Sequence, residues 1–194
     1  MKIELKNIQH NPLLSLDTEA FTAELHIEGV LAGVASNSGR GGLNKYHHIN
    51  QQGHELIKKA EKYCSSLPAL QYPKTEEHEA FSVPMDLEIY ISKLVEEYLN
   101  RRSRQHFSNQ LVYAMDKAIV VGTPEDSFRL FSFKSSIDEI LLRHNGEDFL
   151  VQTIKNSVIP KLRPGEIILN TNIPEHVLKE ACSSSELYLK ITAE

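Results

Sequence analysis

From Phe21 to Ile27 apolar and polar residues alternate without a break: Phe21, Ala23, Leu25 and Ile27 fall on one parity, Thr22, Glu24 and His26 on the other. A chain with that period can hide its apolar set only as a strand with one face on a core, because a helix would scatter the same residues around its axis. Glu28-Gly29 then offers a tight turn and Val30 to Ala35 returns, so the stretch is expected to be a β-hairpin. Ile3 and Leu5, alternating with Lys2, Glu4 and Lys6, add a first strand. Asn50 is suited to capping a helix, and beyond it Leu56, Ile57, Ala60, Tyr63, Cys64 and Leu67 recur at three and four, a stripe able to lie on a sheet. Residues 1–68 therefore read as a β-β-β-α module.

Between Pro68 and Pro84 periodicity disappears. Prolines and the run from Thr75 through Glu76, Glu77 and His78 to Glu79 make residues 69–84 an expected polar connector without regular structure. Asp86 then opens a long helix with Leu87, Ile91, Leu94, Val95, Tyr98 and Leu99 on one stripe. Lys117–Val121 and Phe128–Phe133 read as a hairpin about Thr123-Pro124-Glu125-Asp126. Phe128 and Leu130 share one parity and Phe131 and Phe133 the other, which implies a bulge or a strand covered on both faces. Ser136-Ile-Asp-Glu139 is a capping box for a short helix that Asn145-Gly146 should close. Phe149, Leu150, Ile154 and Val158 mark a helix stopping near Pro160, Pro164-Gly165 turns into a strand from Glu166 to Leu169, Pro174 starts a short helix, and Leu187, Leu189 and Ile191 alternate in a last strand. The class expected is α+β, with residues 85–194 forming a mixed α+β module.

The chain carries 26 acidic against 21 basic residues, a net charge of −5, which gives it no overall electrostatic reason to bind nucleic acid. Its opening alternates and no window reaches the length of a membrane span, so a cytoplasmic protein without a membrane partner is expected. Cys64 and Cys182 have no Cys-x-x-Cys spacing and read as two buried thiols.

The stretch from Gly33 to His54 holds five of the nine glycines and three of the nine histidines. Glycine permits positive φ and close backbone approach, while Arg40 and Lys45 bring donors, so a contact loop is expected, with Asn37, Gly39, Arg40, Gly41, Gly42, Lys45, Tyr46 and His47 as binding residues. Arg40 and Tyr46 are expected outside the core, as anchors on a mobile loop. Consecutive N–H groups could cradle an anion. However, no Lys-Ser/Thr follows Gly42 as in a Walker loop, and the next helix begins too late for a dinucleotide fingerprint. His47, His48 and His54, with Glu55 or His78, invite a metal reading, but adjacent histidines on an extended chain point apart, so neither metal nor cofactor is expected. Arg101-Arg102-Ser-Arg104, with Lys93 and His106, is the densest basic run and reads as a solvated helix end with cations near its C-terminus. No hydrolase, kinase or paired-carboxylate pattern is present, and no catalytic residue is assigned.

Glu19-Ala-Phe21-Thr-Ala23, the run from Gly33 through Asn37 and Gly39 to Gly42, Tyr46-His47 and Tyr63-Cys64-Ser-Ser-Leu67-Pro68 together resemble a family of small uncharacterised proteins encoded by bacteriophages and other bacterial mobile elements; the segment Glu166-Ile-Ile-Leu-Asn170 shares in the likeness. The resemblance implies a setting and supplies no catalytic residues. The function expected is non-enzymatic binding of a host protein, such as inhibition of a host defence protein through the glycine-rich loop. Nucleic-acid or nucleotide binding through Arg40, Lys45 and Arg101 to Arg104 is the alternative, and a metal-dependent hydrolase or nuclease on the histidine pair is the third. The oligomeric state is left open.

Overall fold

The alternating stretch forms the second strand of an antiparallel sheet in a computed structural model that describes residues 1–75, 78–182 and 184–189. The strands are β1 (Ile3–His10), β2 (Phe21–Ile27), β3 (Val30–Asn37) and β4 (Lys45–His48), paired in the order β1-β2-β3-β4. Phe21, Ala23, Leu25 and Ile27 are all buried on one face, as their parity requires. Ile27 pairs with Val30, and the two turn residues between them, Glu28 (φ 50°) and Gly29 (φ 79°), both take positive φ, as the tight turns that match strand twist demand. Glu28 is held there by accepting a hydrogen bond from the Lys2 N–H at 2.8 Å.

Helix α1 (Gln51–Cys64) lies on this sheet. Its cap is Asn50, whose Oδ1 accepts from the Gly53 N–H at 2.7 Å, and it buries Ile57, Ala60 and Cys64. The unit is thus β-β-β-β-α rather than β-β-β-α. The fourth strand escaped the sequence pattern because its single partly buried residue, Tyr46, gives no period to read.

The stretch expected to lack structure forms two short paired strands, β5 (Leu70–Tyr72) and β6 (Phe81–Val83), with Tyr72 stacked on Phe81 at 4.7 Å between ring centroids. Three-residue strands are too short to show alternation. Glu76 and Glu77 lie outside the described residues. Helix α2 (Leu87–Met115) follows, capped by Asp86, whose Oδ1 accepts from the Ile89 N–H at 2.8 Å. Leu87, Ile91 and Val95 belong to the same core as Phe21, Leu25, Ile57 and Cys64. Accordingly the chain divides into compact units at Met1–Asn100 and Arg101–Glu194, inside α2 and not at residues 69–84.

In the second unit, β7 (Ala118–Thr123), β8 (Ser127–Ser132) and β9 (Ile167–Ile168) pair in the order β8-β7-β9. Central β7 is buried on both faces. Ile119 and Val121 join the core made with helices α3 (Ile137–Leu141), α4 (Gly146–Thr153) and α5 (Glu175–Ala181), while Ala118 and Val120 pack with Met115 and Leu169. The parity switch in β8 has the same cause: Phe128 packs on the second cluster and Phe131 on the first, with no register shift against β7.

Ser136 and Glu139 form the capping box that opens α3. Asn145 and Gly146 begin α4, which runs into a wider π-type turn at Ile154–Val158 and a tighter 3-10 turn at Ile159–Lys161, where Pro160 ends it. The last strand reduces to a parallel bridge between Ile168 and Tyr188, and Ile191 lies outside the described residues. Burial pushes the Cys64 thiol up to about 11 and the Cys182 thiol up as well, and both are unbridged. No described helix is long and apolar enough to cross a membrane.

Candidate functional site

The glycine-rich loop is stapled by two asparagines. Asn37 Oδ1 accepts from Thr18 Oγ1 and from the Gly39 N–H, both at 2.9 Å, while its Nδ2 donates to the Gly42 carbonyl at 3.2 Å and to Asn44 Oδ1 at 3.1 Å. Asn44 carries the network to α2: its N–H donates to Glu88 Oε1 at 2.9 Å and its Nδ2 to Ser92 Oγ at 2.7 Å. Gly39 ties the loop to the preceding one. Its carbonyl accepts from the Leu16 and Asp17 N–H groups at 2.8 and 3.0 Å. Gly39 is buried at φ 82°, and a Cβ there would stand 2.0 Å from the Leu14 carbonyl oxygen, so no other residue fits without moving the backbone. Asn37 and Gly39 therefore build the loop, which was expected to be mobile and is held at both ends.

Lys45, Tyr46 and His47 sit on β4, not in the loop. Tyr46 points inward against the core and its hydroxyl donates to Glu61 Oε1 at 3.0 Å. Burial, with the Glu61 carboxylate adding to it, pushes the phenol up to about 12. Tyr46 is thus a packing residue, contrary to the expectation that it stays outside the core. His47 is exposed beside Val34 on the other face of the sheet, whereas His48 has the parity of Tyr46 and meets the His54 ring edge-on at 4.8 Å. The histidine pair diverges, as alternation on a strand dictates. Among the described residues no group of three or more His, Cys, Asp or Glu side chains could hold a metal ion.

Arg40, Gly41 and Gly42 remain at the surface or near it, and among the described residues Arg40 makes no ion pair. On this loop and on the one bonded to it through Gly39 stand apolar side chains outside the expected binding set: Leu13 is 90% exposed, Leu16 74% and Leu43 76%, with Leu14 half-exposed. Their signal was the Pro12-Leu-Leu-Ser-Leu16 run between two strands, apolar yet without a strand or helix period. Monomeric surfaces rarely gather large apolar side chains on rigid loops without a use for them.

A cleft of about 380 Å³ lies beside the loop, lined by Asn37, Gly42 and Asn44 and by the carboxyl-bearing Glu19, Glu88 and Glu96, with no Lys or Arg in its wall. Such a lining repels phosphate from this cleft. A serine, a histidine and a glutamate do meet nearby, but not as a triad. His10 Nε2 is 2.7 Å from Glu19 Oε2 and 3.3 Å from Ser15 Oγ, so acid and hydroxyl share one ring nitrogen where relay catalysis needs both. Ser15 Oγ is also committed, donating to the Asn11 carbonyl at 3.0 Å and accepting from the Ala20 N–H at 2.9 Å. This cluster shapes the first loop.

Arg101, Arg102 and Arg104 are exposed in the middle of α2, which continues to Met115, so they are not the helix-end cations expected. Arg104 Nε lies 3.1 Å from Glu125 Oε2. Lys93 and His106 flank the run on the same helix. No protein-family model, no curated protein and no solved structure matches this chain.

Proposed function

We propose that the protein works by binding another protein through the surface formed by the loop at residues 11–20 and the loop at residues 38–44. The observation that carries this reading is the combination of exposed Leu13, Leu16 and Leu43 with a backbone locked by Asn37 and Gly39. A surface already held in one conformation loses little entropy on association, and apolar side chains around a forked cation make an interface core. Arg40 supplies that cation. The mobile-element setting rests on the resemblance of the segments around Gly33–Gly42 and Tyr63–Pro68, and within it the partner is a host protein, with inhibition of a defence protein the concrete form.

The test is affinity capture from lysate of the bacterial host, comparing the wild type with Leu13→Ser/Leu16→Ser/Leu43→Ser, with Arg40→Ala, and with Arg101→Ala/Arg102→Ala/Arg104→Ala. The reading expects the leucine variant to lose the partner at unchanged thermal stability, Arg40→Ala to weaken it and the arginine triple variant to keep it. Retention by the leucine variant and loss by the arginine variant would overturn it. Salt-dependent binding of short DNA or RNA, lost in the arginine variant, would then replace it with the nucleic-acid reading.

A further inference from the structure

We infer that the protein forms a homodimer by antiparallel pairing of β8 with β8 of a second copy. The phase of the β7–β8 ladder is set by the bond from the Phe133 N–H to the Lys117 carbonyl at 2.7 Å. Counting in steps of two along an antiparallel pair, residues 127, 129 and 131 of β8 bond to β7, and Phe128, Leu130 and Ser132 turn N–H and C=O outward. The far side of β7 agrees with this phase, because the Val120 carbonyl, opposite Leu130, accepts from the Leu169 N–H at 2.9 Å on the β9 side. In the described sheet β8 is an edge, with no strand on its outer side.

The other edges carry the devices that discourage pairing. Strand β1 is broken by a register shift between Lys6 and Gln9 and places Asn7 at φ 51°, β4 has four residues and begins with Lys45, and β5 and β6 have three residues each. Strand β8 has six residues in unbroken register and a single charge, Arg129. That charge is already engaged: Arg129 Nε donates to Glu166 Oε1 at 2.9 Å and Nη2 to the Lys161 carbonyl at 2.9 Å. Beside the edge, Leu130 is 49% exposed and Tyr113 87% exposed, flanking a groove of about 450 Å³ between the last turns of α2 and β8.

The sequence of the edge matches itself. Centred on Leu130, a two-fold pairing sets Leu130 against Leu130, Phe128 against Ser132 and Arg129 against Phe131 of the second copy. Each outward residue exchanges both backbone bonds with its counterpart, apolar or small side chains meet on the Leu130 face, and no like charges are paired between the two strands; Lys161, 5.8 Å from the Phe131 ring, is the nearest cation to the incoming Arg129. A centre on Arg129 would use the same outward backbone groups but would set two guanidinium groups directly opposite each other. Arg129 lies 6.0 Å from its own Phe131 ring, so an aromatic ring is already the kind of surface it rests against.

The experiment is light scattering coupled to size exclusion from micromolar to submillimolar concentration, on the wild type, Leu130→Pro, Leu130→Lys and Leu142→Lys. Proline at 130 deletes an outward N–H and none of the β7 bonds, lysine there sets like charges across the two-fold, and Leu142, 87% exposed, is a surface control away from the edge. The wild type and Leu142→Lys are expected to approach twice the 22.0 kDa of one chain, and both Leu130 variants to stay at one. Amide exchange of the wild type adds a readout independent of the variants: the Phe128, Leu130 and Ser132 amides should gain protection as concentration rises. A monomeric wild type throughout, a dimer that persists in both Leu130 variants, or outward amides that exchange at one rate at every concentration would overturn the inference.

Discussion

Asn170 is the one buried polar residue among the described core, with no exposed surface, and it stands where strand β9 has ended but β7 still has backbone groups to satisfy. Its Oδ1 accepts from the Val120 N–H at 2.6 Å, and its Nδ2 donates to the Ala118 carbonyl at 3.0 Å and to Asn172 Oδ1 at 2.9 Å. The side chain thus prolongs the β9 edge in place of a backbone. Asn170→Ala would leave the Val120 N–H and the Ala118 C=O unpaired between packed apolar layers. Each orphan costs about 1–3 kcal/mol, so the loss should be about 2–6 kcal/mol, a large share of the ~5–15 kcal/mol that holds a domain together. Asn170→Asp should be destabilised at neutral pH, because a carboxylate oxygen would face the Ala118 carbonyl, and should recover partly in acid when the carboxyl can donate. The assay is urea unfolding of each variant, with amide exchange at Val120 reporting the local break. A loss within about 0.5 kcal/mol for Asn170→Ala, the range of ordinary surface changes, would refute the reasoning by showing that water or a small backbone shift satisfies both groups.

Gly39→Ala should release the loop at residues 11–20, since its Cβ would sit 2.0 Å from the Leu14 carbonyl oxygen; the Leu16 and Asp17 amides would lose exchange protection and partner binding would fall with them. Tyr46→Phe should cost about 0.5–1.5 kcal/mol through the lost bond to Glu61 and leave partner binding intact. Because the folded Tyr46 phenol titrates near 12 against an ordinary 10, the stability it contributes is complete below pH 10 and is lost as pH rises toward 12; absorbance titration of tyrosinate, with Tyr46→Phe subtracted, measures it. Glu166 moves in the opposite sense. The Arg129 guanidinium and the Arg163 N–H hold its carboxyl at about 2 against an ordinary 4.5, so its contribution is complete above pH 4.5 and drains away as pH falls toward 2, and Glu166→Gln should flatten that acid slope in an unfolding series.

Elements whose signals lie within a few residues of themselves were legible in the chain. The parity of β2, the caps at Asn50 and Asp86, the capping box at Ser136 and the α1 stripe are all local, because a strand face, a cap and a helix stripe are satisfied by neighbours in sequence. The α+β class followed from them. Of the expected binding residues, Arg40, Gly41, Gly42, Lys45 and His47 have the exposed or partly exposed positions a contact surface needs, whereas Asn37 and Gly39 hold the loop together and Tyr46 packs inward.

What the tertiary structure decided depends on partners far along the chain. Strand β4 exists because β3 offers it an edge, and the first unit reaches Asn100 because Leu87, Ile91 and Val95 find the apolar face of a sheet that ended some forty residues earlier. Asn170 reads in sequence like any turn asparagine, and only the gap beside β7 makes it a core residue. The run that holds Leu13, Leu14 and Leu16 is visible in the sequence as apolar without a period, but that no core takes these side chains is decided by packing. Burial and pairing are properties of two segments at once, and a one-dimensional pattern reports one segment at a time.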